Sequence, residues 1–238
     1  ETMGELPAAC LAEEIDTPGE GQIRAMVTVA GNPVLSTPNG DRLDAAMAGL
    51  DLYVAVDIYL NETTRHADVI LPPPSSLYKG HYDLALLQVA LHNVANYSPP
   101  VLPLEPGQPD EWEILARLAL IAQGMGAAAD PSIVDDLVIT TLVQSAVGDE
   151  HGPAAGRDPD DLLAALAPRT GPERILDLLL RTGPYGDGFG SRTAEAAPGV
   201  AALTLDVLLE NPHGVDLGPL QPRLPEVLRT PSGMIELD

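Results

Sequence analysis

The chain has 238 residues, and its 35 Asp and Glu against 12 Lys and Arg give a formal net charge of −23. That length can bury a hydrophobic core, and a hydrophobic content of 45% is typical of a globular rather than a disordered protein. So negative a surface repels phosphate backbones and anionic lipid, which argues against nucleic-acid binding and membrane-surface binding.

The first hundred residues predict an α/β fold. Residues 25–30 form a continuous run of mostly β-branched and small apolar residues, which predicts a strand buried on both faces. Residues 52–57 and 69–71 predict two further strands, and helical spacing between the first two indicates a connecting helix. Strands and helices that alternate at this spacing favour a Rossmann-like, mainly parallel sheet flanked by helices.

The middle of the chain is less regular. Residues 84–91 are compatible with a fourth strand, and the proline-rich residues 97–106 predict an extended arm. Asp110 predicts the N-cap of a helix that ends near residue 122. The residues expected on its buried face are Trp112, Leu115, Leu118, Ala119 and Ala122.

Beyond this point the sequence predicts mostly helices. Helices are expected over 133–147, 159–167 and 172–181, followed by a long glycine- and proline-rich loop over 182–199. Residues 217–238 predict an extended segment, and its last four residues resemble the beginning of a strand. We therefore divide the chain into an α/β domain over 1–125 and a helical, loop-rich extension over 126–238.

Cysteine and histidine patterns restrict the chemistry within the chain. A single cysteine, Cys10, excludes an internal disulfide framework and any cysteine-held zinc or iron–sulfur site. The five histidines show no paired metal-ligand spacing, and neither a nucleophile elbow nor a phosphate-binding P-loop is present. We therefore expect no catalytic residue and no metal ligand in this chain. The absence of a leader sequence or an apolar stretch long enough to span a bilayer leads us to expect a cytoplasmic location.

Polar residues follow the predicted strands at their carboxyl ends. Asn32 follows the first strand, Asp57 ends the second, and Lys79, the only lysine of the chain, lies in a loop after the third. Ligands of open parallel sheets bind at this edge, where a carboxylate suits a ribose or a guanine and a lysine suits phosphate. A nucleotide-like ligand is the interpretation we favour. The structural alternatives are that Asn32 only makes a turn, Asp57 only caps the next residues, and Lys79 is only solvated.

Two stretches resemble the molybdopterin oxidoreductase superfamily, which includes formate dehydrogenases, nitrate reductases and dimethyl sulfoxide reductase. One is Gly31-Asn32-Pro33 after a strand. The other is a strand ending in Asp57, then Glu62-Thr63-Thr64 and Ala67-Asp68-Val69-Ile70-Leu71-Pro72. The resemblance covers residues 20–120.

The resemblance implies a bis-molybdopterin guanine dinucleotide cofactor that holds molybdenum or tungsten. By position, the residues that it implies as contacts of one guanine dinucleotide are Asn32, Val56, Asp57, Lys79 and Asp110. Asp68 matches the family pattern too, with a structural role expected beneath the strand. The chain departs from the family pattern near Lys79, where Tyr78 precedes it and Gly80-His81 follow it.

The resemblance also implies what the chain does not contain. The cysteine motif for a 4Fe–4S cluster, the segment with the metal ligand and the C-terminal cofactor-closing domain are absent, so we expect a fragment that binds no cofactor and has no activity alone. Its expected partners are the remaining domains of the same enzyme and an electron-transfer subunit. Two alternatives remain: a non-catalytic subunit domain of the kind found in respiratory complexes, and a stand-alone nucleotide-binding module.

Overall fold

The structure is a computed structural model that describes residues 5–192, 202–222, 224–225 and 227–236. Its contacts group the chain into two compact units. The first comprises residues 1–75 and 104–118, and the second comprises residues 76–103 and 119–238. Residues 193–199 of the predicted loop and the last two residues of the expected terminal strand lie outside the described residues.

A three-stranded parallel sheet forms the centre of the first unit. β1 (Ala25–Val29), β2 (Leu52–Val56) and β3 (Val69–Ile70) lie in that order, with β2 in the middle. Val27 pairs with Val54, which pairs in turn with Val69. The predicted strands and their parallel arrangement are thus confirmed.

Helices cover one face of this sheet. α1 (Leu11–Asp16), α2 (Pro33–Ser36) and α3 (Gly40–Met47) belong to the first unit, and α3 fills the predicted connection between β1 and β2. Apolar side chains of α1 and α3 form one buried cluster with the strands; it includes Ile15, Leu43, Met47, Tyr53 and Ala55. The α/β fold class predicted from the sequence is therefore confirmed.

The prediction that the first strand is buried on both faces is wrong. Val27 and Val29 are 54% and 47% exposed, whereas Val54 and Val56 on β2 are buried. Since side chains alternate across a strand, Val27 and Val29 project from the face opposite Thr28, which is buried. β1 is an edge strand in the described sheet, so its apolar composition does not translate into burial on both sides.

The second unit is mainly helical, as expected. α4 (Glu111–Ala122) runs from the first group of residues into the second, and α5 (Ser132–Gly148), α6 (Pro159–Leu166), α7 (Gly171–Thr182) and α8 (Leu205–Glu210) follow. β4 (Val94–Ala95) pairs antiparallel with β5 (Val215–Asp216). Residues 76–103 thus pack with the helical part, while the predicted domain boundary near residue 125 stays a prediction.

Residues 84–91 do not form the fourth strand that their composition allowed. The Oδ1 atom of Asp83 accepts hydrogen bonds from the backbone N–H groups of Ala85 and Leu86, at 3.1 and 2.7 Å. These bonds curl the chain, and a short 3₁₀ helix follows at Leu87–Val89. Local side-chain bonds of this kind compete with strand pairing.

Helix α4 begins after Asp110, as predicted, but it buries a different face. Ile114, Ala116 and Leu120 are buried, whereas Leu115 is 37% exposed and Ala119 and Ala122 are exposed. The apolar residues of this helix surround it on several sides, so spacing alone did not identify the buried stripe.

A fully buried carboxylate links the helices of the second unit. One oxygen of Asp177 on α7 accepts a hydrogen bond from the backbone N–H of Leu205, at 2.8 Å. Its other oxygen accepts bonds from the guanidinium groups of Arg169 and Arg181, both at 3.1 Å. Asp177 thus fixes the start of α8 against α7, and its charge is neutralised by two arginines.

No helix among the described residues is both long and apolar enough to cross a bilayer.

We expect Asp177→Ala to lower the free energy of unfolding by about 3–5 kcal/mol, because it leaves two arginines and one N–H without their buried acceptor. Asp206→Ala is the matched control. Asp206 pairs with the same Arg169, but its side chain is 61% exposed, so we expect a loss below about 1 kcal/mol. Urea unfolding followed by far-UV circular dichroism measures both. Equal losses would contradict the assignment of Asp177 as the organising residue.

Candidate functional site

The parallel sheet brings Asn32 and Asp57 to the same edge. Val29 and Val56, the last residues of β1 and β2, are register partners. The backbone N–H of Ala30 donates to the carbonyl of Val56 at 2.9 Å, so the pairing continues one residue further. The loops that carry Asn32 and Asp57 therefore leave the sheet side by side at its carboxyl edge, the edge where ligands of open parallel sheets bind.

The amide of Asn32 joins the two loops. Its Nδ2 donates to Oε2 of Glu62 at 2.9 Å, and its Oδ1 accepts from the Thr63 hydroxyl at 2.6 Å. The Thr63 hydroxyl oxygen in turn accepts from the backbone N–H of Val34, at 3.1 Å, and Thr63 is fully buried. Asn32 thus does more than make a turn, since it ties the loop after β1 to the loop after β2.

Side chains within the loop after β2 hold its shape. Oδ1 of Asn61 accepts from the backbone N–H groups of Thr63 and Thr64, both at 2.9 Å. The Thr64 hydroxyl donates to the carbonyl of Tyr59 at 2.7 Å and accepts from the N–H of Asn61 at 2.8 Å. The Glu62-Thr63-Thr64 sequence that carries the family resemblance therefore lies in a turn held by hydrogen bonds within residues 59–64.

One carboxylate oxygen of Asp57 accepts a backbone hydrogen bond, and the other has no hydrogen-bond partner among the described residues. Its Oδ1 accepts from the backbone N–H of Tyr59 at 2.8 Å. Within the part of the chain that the structure describes, no group hydrogen-bonds to Oδ2. Asp57 itself is only 8% exposed, whereas Ile58, Tyr59 and Leu60 beside it are 59–77% exposed. A carboxylate fixed at one oxygen, with apolar and aromatic groups beside it, can accept hydrogen bonds from a flat polar ligand.

The backbone between β1 and Asn32 is strained. Ala30 has a φ of 50°, in the left-handed region that side-chain-bearing residues rarely adopt. Strain of this kind is often found in functional loops, where the surrounding structure maintains it. Here the bond from the Ala30 N–H to Val56 and the bonds of the Asn32 amide hold the turn in place.

The other predicted site residues are placed differently. Val56 is the last residue of β2 and is buried in the sheet. Asp110 belongs to the first unit; its Oδ1 accepts from the N–H of Glu111 at 2.6 Å, and its own N–H donates to Glu113 at 3.0 Å. These are the contacts of a helix N-terminus. Lys79 belongs to the second unit and follows a 3₁₀ helix at Ser76–Tyr78.

Asp68 supports the sheet rather than its edge. Its carboxylate accepts from the backbone N–H of Tyr53 at 2.8 Å, and its own N–H donates to the Tyr53 carbonyl at 2.9 Å. These two bonds fix the chain where it enters β3 beside β2. The structural role that the sequence predicted for Asp68 agrees with these contacts.

Glu62 and Thr63 are site residues to which the sequence assigned no role. They appear there only as part of the family pattern, because no spacing rule connects position 32 with positions 62 and 63. The sequence feature that could have indicated this contact is the presence of two polar segments, each following a predicted strand. In the described chain, no three His, Cys, Asp or Glu side chains converge as a metal-binding group.

Comparison with known proteins supports the family resemblance. The chain is similar to the assimilatory nitrate reductase catalytic subunit of Bacillus subtilis, with 35% identity over 65 residues, which is 27% of this chain and 9% of the relative. It is similar to the F420-dependent formate dehydrogenase subunit alpha of Methanocaldococcus jannaschii, with 33% identity over 110 residues, 46% of this chain and 15% of the relative. The F420-dependent formate dehydrogenase 1 subunit alpha of Methanococcus maripaludis is 37% identical over 54 residues, 23% of this chain and 8% of the relative.

These relatives are molybdopterin oxidoreductases, so the resemblance stated from the motifs is confirmed over a local part of the chain. The chain spans only a small part of the length of each relative. No protein-family model matches the sequence, and no solved structure matches it. The class supported by fold and comparison is thus a region related to molybdopterin oxidoreductases.

We expect Thr63→Val to destabilise the protein by about 1–3 kcal/mol, because it leaves the Asn32 oxygen and the Val34 N–H without their partner in a buried position. Thr17→Val makes the same chemical change at an exposed threonine and should alter the free energy of unfolding by less than about 0.5 kcal/mol. Denaturant titration measures both values. A Thr63→Val protein as stable as the wild type would show that this hydroxyl does not hold the loops together.

The hydrogen bond from Asn32 lowers the pKa of Glu62 below its usual value of 4.5. The stability that the charged Glu62 contributes is therefore present above its unfolded pKa and is lost as the pH falls through the lower folded value. Carbon-13 NMR titration of the Glu62 carboxyl should show the lowered pKa, and Asn32→Ala should raise it again. Ser36→Ala, which alters the same turn but keeps the Asn32 amide, should leave the Glu62 pKa in place; a shift as large as that of Asn32→Ala would contradict the assignment.

Proposed function

We propose that this chain is part of a molybdopterin-dependent oxidoreductase and that its strand-end loops hold one guanine dinucleotide of a bis-molybdopterin guanine dinucleotide cofactor. The observation that carries the proposal is the Asp57 carboxylate at the end of the central strand, with Oδ1 fixed by Tyr59 and Oδ2 without a partner in the described chain. The similarity to nitrate reductase and formate dehydrogenase subunits supports the class of enzyme.

The residues fit the nucleotide end of such a group. A carboxylate can accept two hydrogen bonds from the N–H edge of a guanine or from ribose hydroxyls. The exposed ring of Tyr59 lies two residues from Asp57 and offers a flat surface for a base. When bound, the cofactor supplies the redox chemistry, and the protein supplies binding and orientation.

The structure suggests different tasks for the proposed contact residues. Asp57 is the direct contact. Both ends of the Asn32 amide are engaged by Glu62 and Thr63, so we assign Asn32 to positioning the loop beside Asp57. Val56 sets the backbone at the strand end, Asp110 begins α4, and Lys79 remains the proposed phosphate contact.

A second candidate is the non-catalytic subunit domain, and one observation favours it. The side chains of Glu62 and Thr63 occupy the polar groups of Asn32 that a ligand would otherwise meet. Metal and nucleotide analysis of the purified full-length protein distinguishes the two candidates. Stoichiometric molybdenum or tungsten together with guanine nucleotide supports the cofactor-binding enzyme, and the absence of both supports the non-catalytic domain.

A third candidate, the stand-alone nucleotide module, is tested on the 238-residue chain alone. Calorimetric titration with GDP should show no saturable binding if the site needs the remaining domains of the enzyme. Binding of GDP by the isolated chain would support the module instead.

In the full-length enzyme, Asp57→Ala should weaken retention of the cofactor roughly ten- to a hundredfold, since a hydrogen bond to a charged group contributes about 1.5–3 kcal/mol. Asp57→Asn should lose less, because the amide keeps the shape but offers only one acceptor oxygen. The guanine nucleotide released per enzyme after denaturation measures retention.

Thermal melting of the 238-residue chain separates this role from a purely structural one. If Asp57 is a ligand, both variants of the chain melt close to the wild type while the full-length enzyme is depleted of cofactor. A large fall in melting temperature with normal cofactor content in the folded enzyme would make Asp57 only the cap of its loop.

A further inference from the structure

The second unit contains a cavity that the proposed cofactor site does not use. Its volume is about 740 Å³, within the range of roughly 300–1,000 Å³ that small-molecule sites usually have. It lies between α5, α7, the loop over 149–153 and the segment 227–230. Its apolar lining includes Leu142, Ala146, Pro153, Leu178, Leu179 and Val227.

The polar lining of this cavity is unusual for so acidic a chain. Arg192, Arg229 and His151 line it, and among the described residues Asp149 is the one carboxylate beside them. Asp149 faces Arg229, with N–O distances of 3.4 and 3.5 Å. The described lining of the cavity therefore carries one more guanidinium than carboxylate, although the whole chain has a net charge of −23.

Arg192 differs from most arginines of the described structure. Arg42, Arg65, Arg169, Arg174 and Arg181 each pair with at least one aspartate. Arg192 makes its one side-chain hydrogen bond to the backbone carbonyl of Gly183, and no carboxylate of the described residues pairs with it. A guanidinium has five N–H donors, so Arg192 keeps donors for a further acceptor.

We propose that this cavity binds a small organic anion, a carboxylate carried on an apolar body. The carboxylate pairs with Arg192, which a planar guanidinium can do through two parallel hydrogen bonds. The apolar body lies against Leu142, Ala146 and Leu179 on the two helices. The site shares no residue with the proposed nucleotide site.

Octanoate is the probe that tests this proposal, because it combines one carboxylate with a simple apolar chain. Isothermal titration of the 238-residue chain with octanoate at pH 7 should show saturable binding with one site. Titration with 1-octanol, which has the same chain without the charge, should show binding that is weaker by roughly ten- to a hundredfold, the contribution of a charge-assisted hydrogen bond. Inorganic phosphate, which has charge without an apolar body, should also bind more weakly than octanoate.

Two variants locate the probe. Arg192→Gln should weaken octanoate binding roughly ten- to a hundredfold and leave octanol binding unchanged. Ala146→Phe fills the apolar part of the cavity without removing a polar contact. It should weaken the binding of both octanoate and octanol. Arg24→Gln is the matched control, because this exposed arginine lies in the first unit and pairs with Asp51; it should leave both affinities unchanged.

Histidine ring signals in NMR spectra give a readout that does not depend on affinity. On addition of octanoate to the wild type, the signals of His151 should shift, while those of His66 in the first unit should not. The proposal is overturned if octanoate does not bind, if octanol binds as tightly as octanoate, or if Arg192→Gln, folded by circular dichroism, binds octanoate like the wild type. Binding that shifts His66 and not His151 would likewise overturn it, since the probe would lie elsewhere.

Discussion

The hydroxyl group of Thr63 is the point on which the strand-end region depends. It donates to Asn32 and accepts from the backbone of Val34, and it does so in a fully buried position. Parallel pairing brings the ends of β1 and β2 together, but it does not fix the loops that follow. The hydrogen bonds of Thr63 fix these loops. Asp57 therefore lies in a loop with a defined shape beside the turn at Asn32.

The second unit rests on buried charge rather than on an apolar core alone. Asp177 is fully enclosed, and it is satisfied by two arginines and one backbone N–H. Arg181 also reaches Asp187 at 2.8 Å and lies 5.3 Å above the ring of Phe189. In this acidic chain most arginines of the described residues pair with aspartates, whereas Arg192 in the cavity bonds to a backbone carbonyl.

Local sequence patterns predicted where strands and helices lie better than they predicted which side chains are buried. The residues of β1 and α4 were correctly assigned to a strand and a helix, yet Val27 and Leu115 are exposed where burial was expected. Propensity and spacing depend on neighbours along the chain, whereas burial depends on what packs against the element. Residues 84–91 show a second limit, because two hydrogen bonds to Asp83 replaced a strand that composition allowed.

The sequence by itself determined the α/β class, the parallel strands, the position of Asn32 and Asp57 at strand ends, and the resemblance to molybdopterin oxidoreductases. These follow from β-branched runs, turn residues and an ordered motif, all of which are local. Only the tertiary structure decided that Asn32 is bound to Glu62 and Thr63, some thirty residues away, and that Arg192 lines a cavity. Hydrogen bonds and cavities between distant segments depend on how the chain packs, and no pattern of neighbouring residues encodes that packing.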